Sequence, residues 1–422
     1  MLVAAPLSIP RIAKMKRNVL AYLSQQVFVE EKKTLDLLQG LLICIAWSHT
    51  CQLSDEQVTN LTHLATGYAH NLGITKSLPR KVECSGVVKE RLNTTNVVTT
   101  EGTHSLDEQR TFLGCFCVLS VTSFQASRRN PLGGPYVEKA RDALSNISTS
   151  RSDLLLDRLV RMIQMGEQLL RGFGEHHERD QARSYAFLLE GSGRRFRTEL
   201  DRVTEITAHS DLSDHWPLFQ LYHQYLIVRL YEPAVTVAYR PEEGVGPSMY
   251  RSLCLRNCLG AAKDFLDLLL AQPTDAPMRR SIVTADQAAF VMFMAARLLL
   301  IDTPDWDVAL ARQTLNLQAT LDRILAHVIG AERLRASAVE EFSAETGDTV
   351  ADEERTAESG LTQTARRTRW LREWYEARLQ GRPMDEGWPA NGSGMGEAER
   401  DAGDARGAPS WFGGLWGWSM EL

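Results

Sequence analysis

The chain has 422 residues, of which 44% are hydrophobic and 24% charged, so it is long enough for about two or three average domains or one large helical domain. Its formal net charge of −6 gives no electrostatic reason to expect that this chain binds nucleic acid by itself, because phosphate neutralisation needs clustered Lys and Arg. The longest apolar stretch, Leu41 to Trp47, is far too short to cross a bilayer, so we expect no membrane partner.

Apolar residues recur with helical spacing almost throughout the chain. The first clear stripe, at positions i, i+3, i+4 and i+7 of one helix face, consists of Leu38, Leu41, Leu42 and Ile45. Comparable stripes begin near residues 58, 112, 156, 218, 255, 288 and 321. Only the stretch 87–100 looks strand-like, and it stands between predicted helices. We therefore predict an all-α fold with roughly nine or more helices.

Several helix ends are marked by local signals. The stretches 54–57 (SDEQ) and 105–108 (SLDE) both have the spacing of a capping box, in which the first and last side chains each bond the other's backbone amide. Gly73 is well placed to end the helix that follows the first box. The helix near residue 218 is predicted to stop before Pro233, because a proline ring clashes with the preceding residue when that residue is helical.

The composition changes after about residue 333. Residues 336–360 (ASAVEEFSAETGDTVADEERTAESG) are acidic, small and poorly periodic, which is typical of a linker or disordered segment. A short helix is predicted near 368–380 (TRWLREWYEARLQ), and Gly, Ala, Asp and Glu dominate from there to the aromatic C-terminus. We predict a large multi-helix domain over residues 1–333 and an acidic, largely disordered tail over residues 334–422.

Seven cysteines are present, at positions 44, 51, 84, 115, 117, 254 and 258, and none forms a CxxC pair. On a helix Cys115 and Cys117 point in widely different directions and cannot hold one ion together. Cys254 and Cys258 share a helix face, but a metal there would need ligands from elsewhere and no His is near in sequence. We interpret the thiols as reduced core residues and predict no metal site and no cofactor for this chain.

Histidines and catalytic motifs give no sign of an enzyme. His176 and His177 are neighbours among charged residues, which favours a solvated turn, and His223 is interpreted as a packed or hydrogen-bonded residue of a core helix. Neither GxSxG, GxxxxGK[ST] nor HExxH occurs. A magnesium-dependent helical enzyme would need an acidic helix face, and the nearest acidic run, 352–360, lies in the predicted tail. We predict no catalytic residues.

The basic residues form no extended patch. Arg128 and Arg129 follow a predicted buried helix, and the stretches 193–197 (GRRFR) and 365–369 (ARRTR) are short and far apart. We interpret each of them as a solvated helix end, and the preference for cations at helix C-termini is sufficient to explain Arg128 and Arg129.

Five segments, taken in order, resemble the fungal-specific regulatory region of binuclear zinc cluster transcription factors. They are KTLDLLQGLLICIAWSH (33–49), LATGYAHNLGI (64–74), DEQRTFLGCFCVLSVTSFQASRRNPLGGPYVEKARDAL (107–144), LYHQYLIVRLYEPAV (221–235) and CLGAAKDFLDLLL (258–270). Each motif tolerates substitution, but five in sequence are fairly specific. The resemblance covers roughly residues 15–330.

The resemblance implies a transcription regulator, pathway-specific and of the kind that controls secondary-metabolite gene clusters. It also implies a protein of the nucleus, or of nucleus and cytoplasm, that forms homodimers or heterodimers with related regulators. The helical domain would regulate activation, supply dimer contacts or hold a small-molecule pocket.

The sequence departs from the family at its zinc module. That module has six cysteines and binds two zinc ions, whereas the first cysteine here, Cys44, lies in a predicted core helix. Zinc and DNA binding are therefore not carried over to any residue, and DNA would be reached only indirectly or through a module that this sequence does not contain. A truncated product, a partial gene model and a stand-alone regulator all remain open. The alternative function is a DNA-binding-deficient partner that heterodimerises with a full-length regulator and inhibits it.

The C-terminal stretch PSWFGGLWGWSMEL is the candidate site for partner docking. Its aromatic and apolar residues, with acidic neighbours upstream, are Trp411, Phe412, Leu415, Trp416 and Trp418. Such a segment is suited to dock as a short amphipathic element in the groove of a transcription coactivator. The alternative is that these side chains pack back onto the helical domain.

Overall fold

In a computed structural model of the chain, the described residues are 8–48, 50–76, 104–125, 130–147, 150–174, 189–208, 212, 215–236, 249–276, 282–346 and 359–382. These ranges are mainly helical and contain no strand, which confirms the all-α prediction. The strand-like stretch 87–100 lies outside them. None of the helices described is both long and apolar enough to span a membrane.

In chain order the described ranges hold the following α-helices. In the first half they are α1 Ile9–Ser24, α2 Leu35–Ala46, α3 Asp55–Asn71, α4 Leu106–Gln125, α5 Pro135–Ile147 and α6 Arg151–Gly174. In the second half they are α7 Arg194–Ala208, α8 Trp216–Thr236, α9 Met249–Leu270, α10 Ile282–Leu298, α11 Val308–Thr314, α12 Leu317–Thr346 and α13 Gly360–Leu379. Single π-helical turns, Gln25–Val29 and Leu189–Gly193, follow α1 and precede α7.

The centre of the fold is built from α4, α6, α8, α9 and α10. Helix α4 packs against α2, α3, α5 and α6, while α8 packs against α6, α7, α9 and α10. Large side chains with no more than 1% of their surface exposed fill the space between them, including Phe112, Phe116, Phe219 and Phe265. Burial of a large apolar side chain contributes about 1.5–3 kcal/mol relative to exposure, so this contiguous core accounts for the packing of the helices.

Both predicted capping boxes are confirmed. At the start of α3 the Ser54 hydroxyl accepts from the Gln57 amide, and the Gln57 side chain accepts from the Ser54 amide. Before α4 the Glu108 amide donates to Ser105 Oγ at 3.3 Å, while the Ser105 amide donates to Glu108 Oε2 at 2.8 Å. Gly73 follows α3 with φ of +75°, a conformation that glycine adopts without steric cost.

The predicted stop before Pro233 is wrong, because α8 continues through the proline to Thr236. A proline removes one backbone hydrogen bond, but tertiary contacts hold the last turn in place. Ala234 and Val235 are buried, and Arg251 of α9 donates from Nε to the Ala234 carbonyl at 3.0 Å. Packing therefore outweighs the local preference.

The compositional change near residue 333 does not coincide with a helix end. Helix α12 runs on to Thr346, so residues 334–346 are helical rather than linker, a correction to the prediction. Good helix formers and the ion pair between Arg335 and Glu332, 2.7 Å apart, explain the continuation. The predicted short helix exists as α13, but it begins at Gly360 instead of near 368 and packs against α12. Residues 347–358 and 383–422 lie outside the described ranges, so disorder there stays a prediction.

Candidate functional site

The side chains predicted to dock a partner lie outside the described residues. They are Trp411, Phe412, Leu415, Trp416 and Trp418. The structure does describe α13, the helix that precedes them in the chain, and the surface that it covers. The buried residues of this contact, named the α13 anchor, are Trp370, Leu371, Trp374 and Tyr375. The α13 anchor is the candidate functional site because it joins the helical domain to the C-terminal segment.

Both ends of α13 are defined by local chemistry. Ser359 caps the N-terminus by accepting from the Thr362 amide at 3.0 Å, and its hydroxyl also donates to Glu332 of α12 at 2.8 Å. At the other end Gly381 has φ of +63°, and the last amides donate to carbonyls of the final turn in the pattern of a Schellman motif. The helix is therefore a bounded element attached to α12 from its first residue.

Aromatic rings hold α13 against α10. Trp370 and Trp374 lie one helical turn apart with ring centroids separated by 6.3 Å, and Trp374 also contacts Phe293 of α10 at 6.0 Å. The Arg378 guanidinium lies 5.8 Å from the Trp374 ring centroid, and the Arg297 guanidinium lies 5.9 Å from that of Phe293. Such ring and cation–π contacts add to the apolar area that the tryptophans bury.

Polar contacts contribute less to the α13 anchor. Arg372 lies 2.6 Å from Asp322 of α12, but the two side chains are 34% and 52% exposed, and ion pairs in contact with water contribute little. Burial raises the pKa of Tyr375, while the Arg312 side chain opposes this shift. Packing of the rings is therefore the main attachment of α13.

A buried ion pair lies in the C-terminal half of α8. The Arg229 guanidinium lies 2.7 Å from the Glu232 carboxylate and 4.4 Å from the centroid of the Phe290 ring on α10, and its Nε donates to the Tyr225 hydroxyl at 3.2 Å. Burial disfavours the charged guanidinium, but Glu232 and Tyr225 outweigh burial, so the pKa of Arg229 is raised. The contact of Arg229 with Phe290 links α8 to α10, while the ion pair with Glu232 compensates the charge of Arg229 inside an apolar core.

A second buried polar network ties the turn after α4 back to the core. Ser120 donates from Oγ to Glu167 Oε1 of α6 at 2.8 Å and accepts from Asn130 Nδ2 at 2.7 Å. The same Asn130 amide group donates to the Phe116 carbonyl at 3.1 Å, and its Oδ1 accepts from the Leu132 amide at 2.8 Å. The single asparagine thus satisfies three polar groups and holds the turn that leads into α5.

The interpretation of the thiols as core residues is confirmed for five of them. The thiols exposed by no more than 4% are Cys51, Cys115, Cys117, Cys254 and Cys258. Burial raises the pKa values of Cys51 and Cys115 to about 12 and also raises the pKa values of the other three. A thiol that stays protonated is a poor nucleophile and a poor metal ligand, so packing is its role here.

His223 is a hydrogen-bonded residue of a core helix, as predicted, because its Nε2 lies 2.8 Å from Asp201 Oδ1 of α7. The His176–His177 pair and Arg128 and Arg129 lie outside the described ranges.

The two short basic stretches behave differently. Residues 193–197 lie at the start of α7, at a helix end as expected. The expectation is wrong for residues 365–369, which lie inside α13, where Ala365 and Thr368 are buried. The helical repeat therefore divides this stretch between a packed face and a polar face.

Within the described ranges, no three or more His, Cys, Asp or Glu side chains are grouped so that they could hold a metal ion. The α13 anchor and the two polar networks contain ion pairs, rings and amides, which are suited to holding helices in one arrangement.

Trp370 and Trp374 were not predicted as packing residues of the site, although their i, i+4 spacing was a usable signal. Arg229 and Glu232 were not predicted either. The signal there was a pair of opposite charges three positions apart in an otherwise apolar helix.

Comparison with known proteins gives two related chains. The transcription factor opdL of Penicillium oxalicum is 25% identical over 313 residues, which is 71% of this chain and 53% of opdL. The transcription factor himD of Aspergillus japonicus is 26% identical over 280 residues, which is 62% of this chain and 42% of himD. No protein-family model matches the chain, and no solved structure matches it. The chain therefore spans about half the length of these curated relatives, and over most of its own length it is similar to fungal transcription factors.

Proposed function

We propose that this chain is a transcription regulator and not an enzyme, with its helical part acting as the regulatory domain. The observation that carries the proposal is the similarity to two proteins named as transcription factors, which extends over 71% and 62% of the chain. The all-α core supports it, because the motifs that resemble the zinc cluster family lie on packed helices.

The finer assignment rests on the family resemblance. It makes the chain a pathway-specific regulator, of the class that controls secondary-metabolite gene clusters, that acts in the nucleus. The chain would bind no zinc itself and would reach DNA through a partner or a module outside this sequence. Elemental analysis of the purified chain tests whether it binds zinc, and zinc in stoichiometric amount would contradict the proposal that it does not.

The α13 anchor supports a role in positioning the C-terminal segment. Buried Trp370 and Trp374 hold α13 on α10 and α12, and residues 383–422 follow directly. In the proposal, the aromatic side chains from Trp411 to Trp418 contact a transcription coactivator, while the helical domain determines where that segment is presented.

A reporter assay tests the proposed activation. Residues 383–422 are fused to a heterologous DNA-binding domain, and a matched fusion carries Trp411→Ala, Trp416→Ala and Trp418→Ala. We expect transcription from the first fusion and its loss in the second, because docking segments depend on a few aromatic anchors. Absence of activation by the unsubstituted fusion would contradict the role of the tail.

The alternative, an inhibitory partner without DNA binding, gives a different result. The full chain would co-purify with a full-length related regulator and lower the output of that regulator's reporter. Activation by the full chain when it is recruited to DNA would contradict this alternative. A fluorescent fusion that stays outside the nucleus would contradict both assignments.

A further inference from the structure

Three arginines surround one buried carboxylate where α5 packs against α6. Asp157 of α6 has a side chain only 7% exposed. Arg141 Nε lies 3.4 Å from Oδ1 of Asp157, Arg158 Nη1 lies 3.5 Å from Oδ2, and Arg161 Nε lies 3.4 Å from Oδ2. We name these three residues the arginine cluster. A single carboxylate cannot neutralise three guanidinium groups.

The distances show that Asp157 is a poor partner for each arginine. Charge-assisted hydrogen bonds between guanidinium and carboxylate are about 2.7–2.9 Å long, which is shorter than all three contacts. The Nε atoms of Arg141, Arg158 and Arg161 are all buried and make no hydrogen bond. Leaving a buried N–H group without an acceptor is unfavourable, so Asp157 alone does not satisfy the hydrogen-bonding capacity of the cluster.

Neighbouring side chains compensate the charge of the cluster only in part. Asp142 contacts Arg141 at 3.1 Å but is 63% exposed, so its charge is largely screened by solvent. Glu199 of α7 interacts electrostatically with Arg161, but it is 50% exposed and two nitrogens of Arg202 already engage it, at 2.7 and 3.0 Å. Gln164 accepts from Arg141 at 3.2 Å and is neutral.

The cluster is held in place and is open on one side. Arg141 and Arg158 are each 16% exposed, whereas Arg161 is 35% exposed and leaves the group accessible to solvent. Burial lowers the pKa of Arg158, Asp157 opposes that shift, and the charges of Arg161 and Arg141 add to it. The three guanidinium groups thus repel one another in a partly desolvated position.

We propose that Arg141, Arg158 and Arg161 form a binding site for a small oxyanion with two negative charges, such as inorganic phosphate or the phosphate group of a metabolite. A tetrahedral oxyanion presents several acceptor oxygens and matches the forked donors of arginine. This site goes beyond the proposed function and does not depend on it. A ligand bound there would contact α5 and α6 together and would stabilise their packing.

Calorimetric titration of the full chain with inorganic phosphate, at constant ionic strength in chloride, tests the proposal. We expect saturable binding and a Kd raised about tenfold in Arg158→Gln and in Arg161→Gln, since each loses charged hydrogen bonds to the anion. Methyl phosphate serves as a second probe. Tighter binding of methyl phosphate would indicate a metabolite phosphate group, and tighter binding of inorganic phosphate would indicate the free ion.

Arg335→Gln is the matched control, because Arg335 lies on α12 and has its own carboxylate partner, Glu332, 2.7 Å away. We expect it to bind phosphate as the unsubstituted chain does. Without phosphate, Arg161→Gln should unfold at no lower temperature than the unsubstituted chain, because it relieves repulsion, whereas a purely structural arginine would leave a less stable protein. Absence of saturable binding of either probe, or equal weakening in Arg335→Gln, would overturn the proposal.

Discussion

The Glu232 carboxylate lies 2.7 Å from the Arg229 guanidinium within one turn of α8, and the two side chains are only 13% and 7% exposed. Arg229 therefore has its carboxylate partner in a place that little water reaches. Glu232→Gln should lower the free energy of unfolding by about 3–5 kcal/mol, because removing one member of a buried pair leaves the other charge without compensation. Urea unfolding measures this change.

Glu199→Gln is the control for Glu232→Gln, since Glu199 and Arg202 have the same three-residue spacing but are 50% and 59% exposed. We expect a loss of about 0–1 kcal/mol for this surface pair. Equal losses in the two variants would show that burial does not determine the contribution of the α8 pair.

The α13 anchor should open when its central ring is removed. Trp374→Ala deletes a side chain that is 5% exposed and contacts both Phe293 and Trp370, with an expected loss of about 3–5 kcal/mol for a buried aromatic residue. Hydrogen exchange should become faster in residues 360–379 while α4 and α8 stay protected. The exposed neighbour Glu373 gives the control, and Glu373→Ala should leave exchange in α13 unchanged.

The stability of the fold should depend on both polar atoms of the Asn130 side chain. Asn130→Ala removes the contacts to Ser120, Phe116 and Leu132 and should cost about 1–3 kcal/mol. Asn130→Asp keeps the acceptor for the Leu132 amide but places a carboxylate beside Ser120, whose hydroxyl already donates to Glu167. We therefore expect Asn130→Asp to unfold at a lower temperature than Asn130→Ala in a thermal scan at neutral pH. The reverse order would contradict this account of the network.

Buried thiols should make the fold sensitive to alkaline pH. Burial raises the pKa of Cys115 to about 12, whereas a thiol in the unfolded chain has a pKa of about 8.5. The folded chain thus holds the proton more tightly, and this contribution to stability is complete below the unfolded pKa and is lost as the pH rises towards 12.

The contribution of Cys115 can be measured by comparing how the free energy of unfolding depends on pH with and without this thiol. Between pH 8 and pH 10 the free energy of unfolding should fall by about 1–2 kcal/mol more in the unsubstituted chain than in Cys115→Ala. Native chain at pH 8 should also leave Cys115 unmodified by iodoacetamide, with modification in urea as the control. Equal slopes, or rapid modification of the native chain, would contradict the burial of this thiol.

Local features of the fold were predictable because their causes are local. The capping box at Ser54 and Gln57 needs only side chains three residues apart, and the burial of Cys115 follows from its position on an apolar stripe. The stop at Pro233 was not predicted correctly, since packing at Ala234 overrides local preference. The continuation of α12 past residue 333 was missed although its causes, good helix formers and the pair of Arg335 with Glu332, are local.

Most of the features that could not be predicted from the sequence are contacts between residues that lie far apart in the chain. Arg158 and Asp157 are adjacent in the chain, but Arg141 joins them only because α5 turns back against α6. In the same way, Phe293 meets Trp374 across 81 positions of sequence, and no periodicity encodes which apolar faces will meet. The helices could therefore be predicted largely from the sequence, whereas the residues of the candidate site could be identified only from the arrangement of the helices in the structure.

Helix α13 runs antiparallel to α12, since Ser359 contacts Glu332 while Arg372, further along α13, contacts the earlier residue Asp322. The polypeptide consequently makes a full reversal after α12, and its exit point at Arg382 lies near the beginning of α12 rather than beside Thr346. A photocrosslinker or dye attached just beyond Arg382 would thus report on the surroundings of Arg312. It would lie far from Thr346, the C-terminal end of α12.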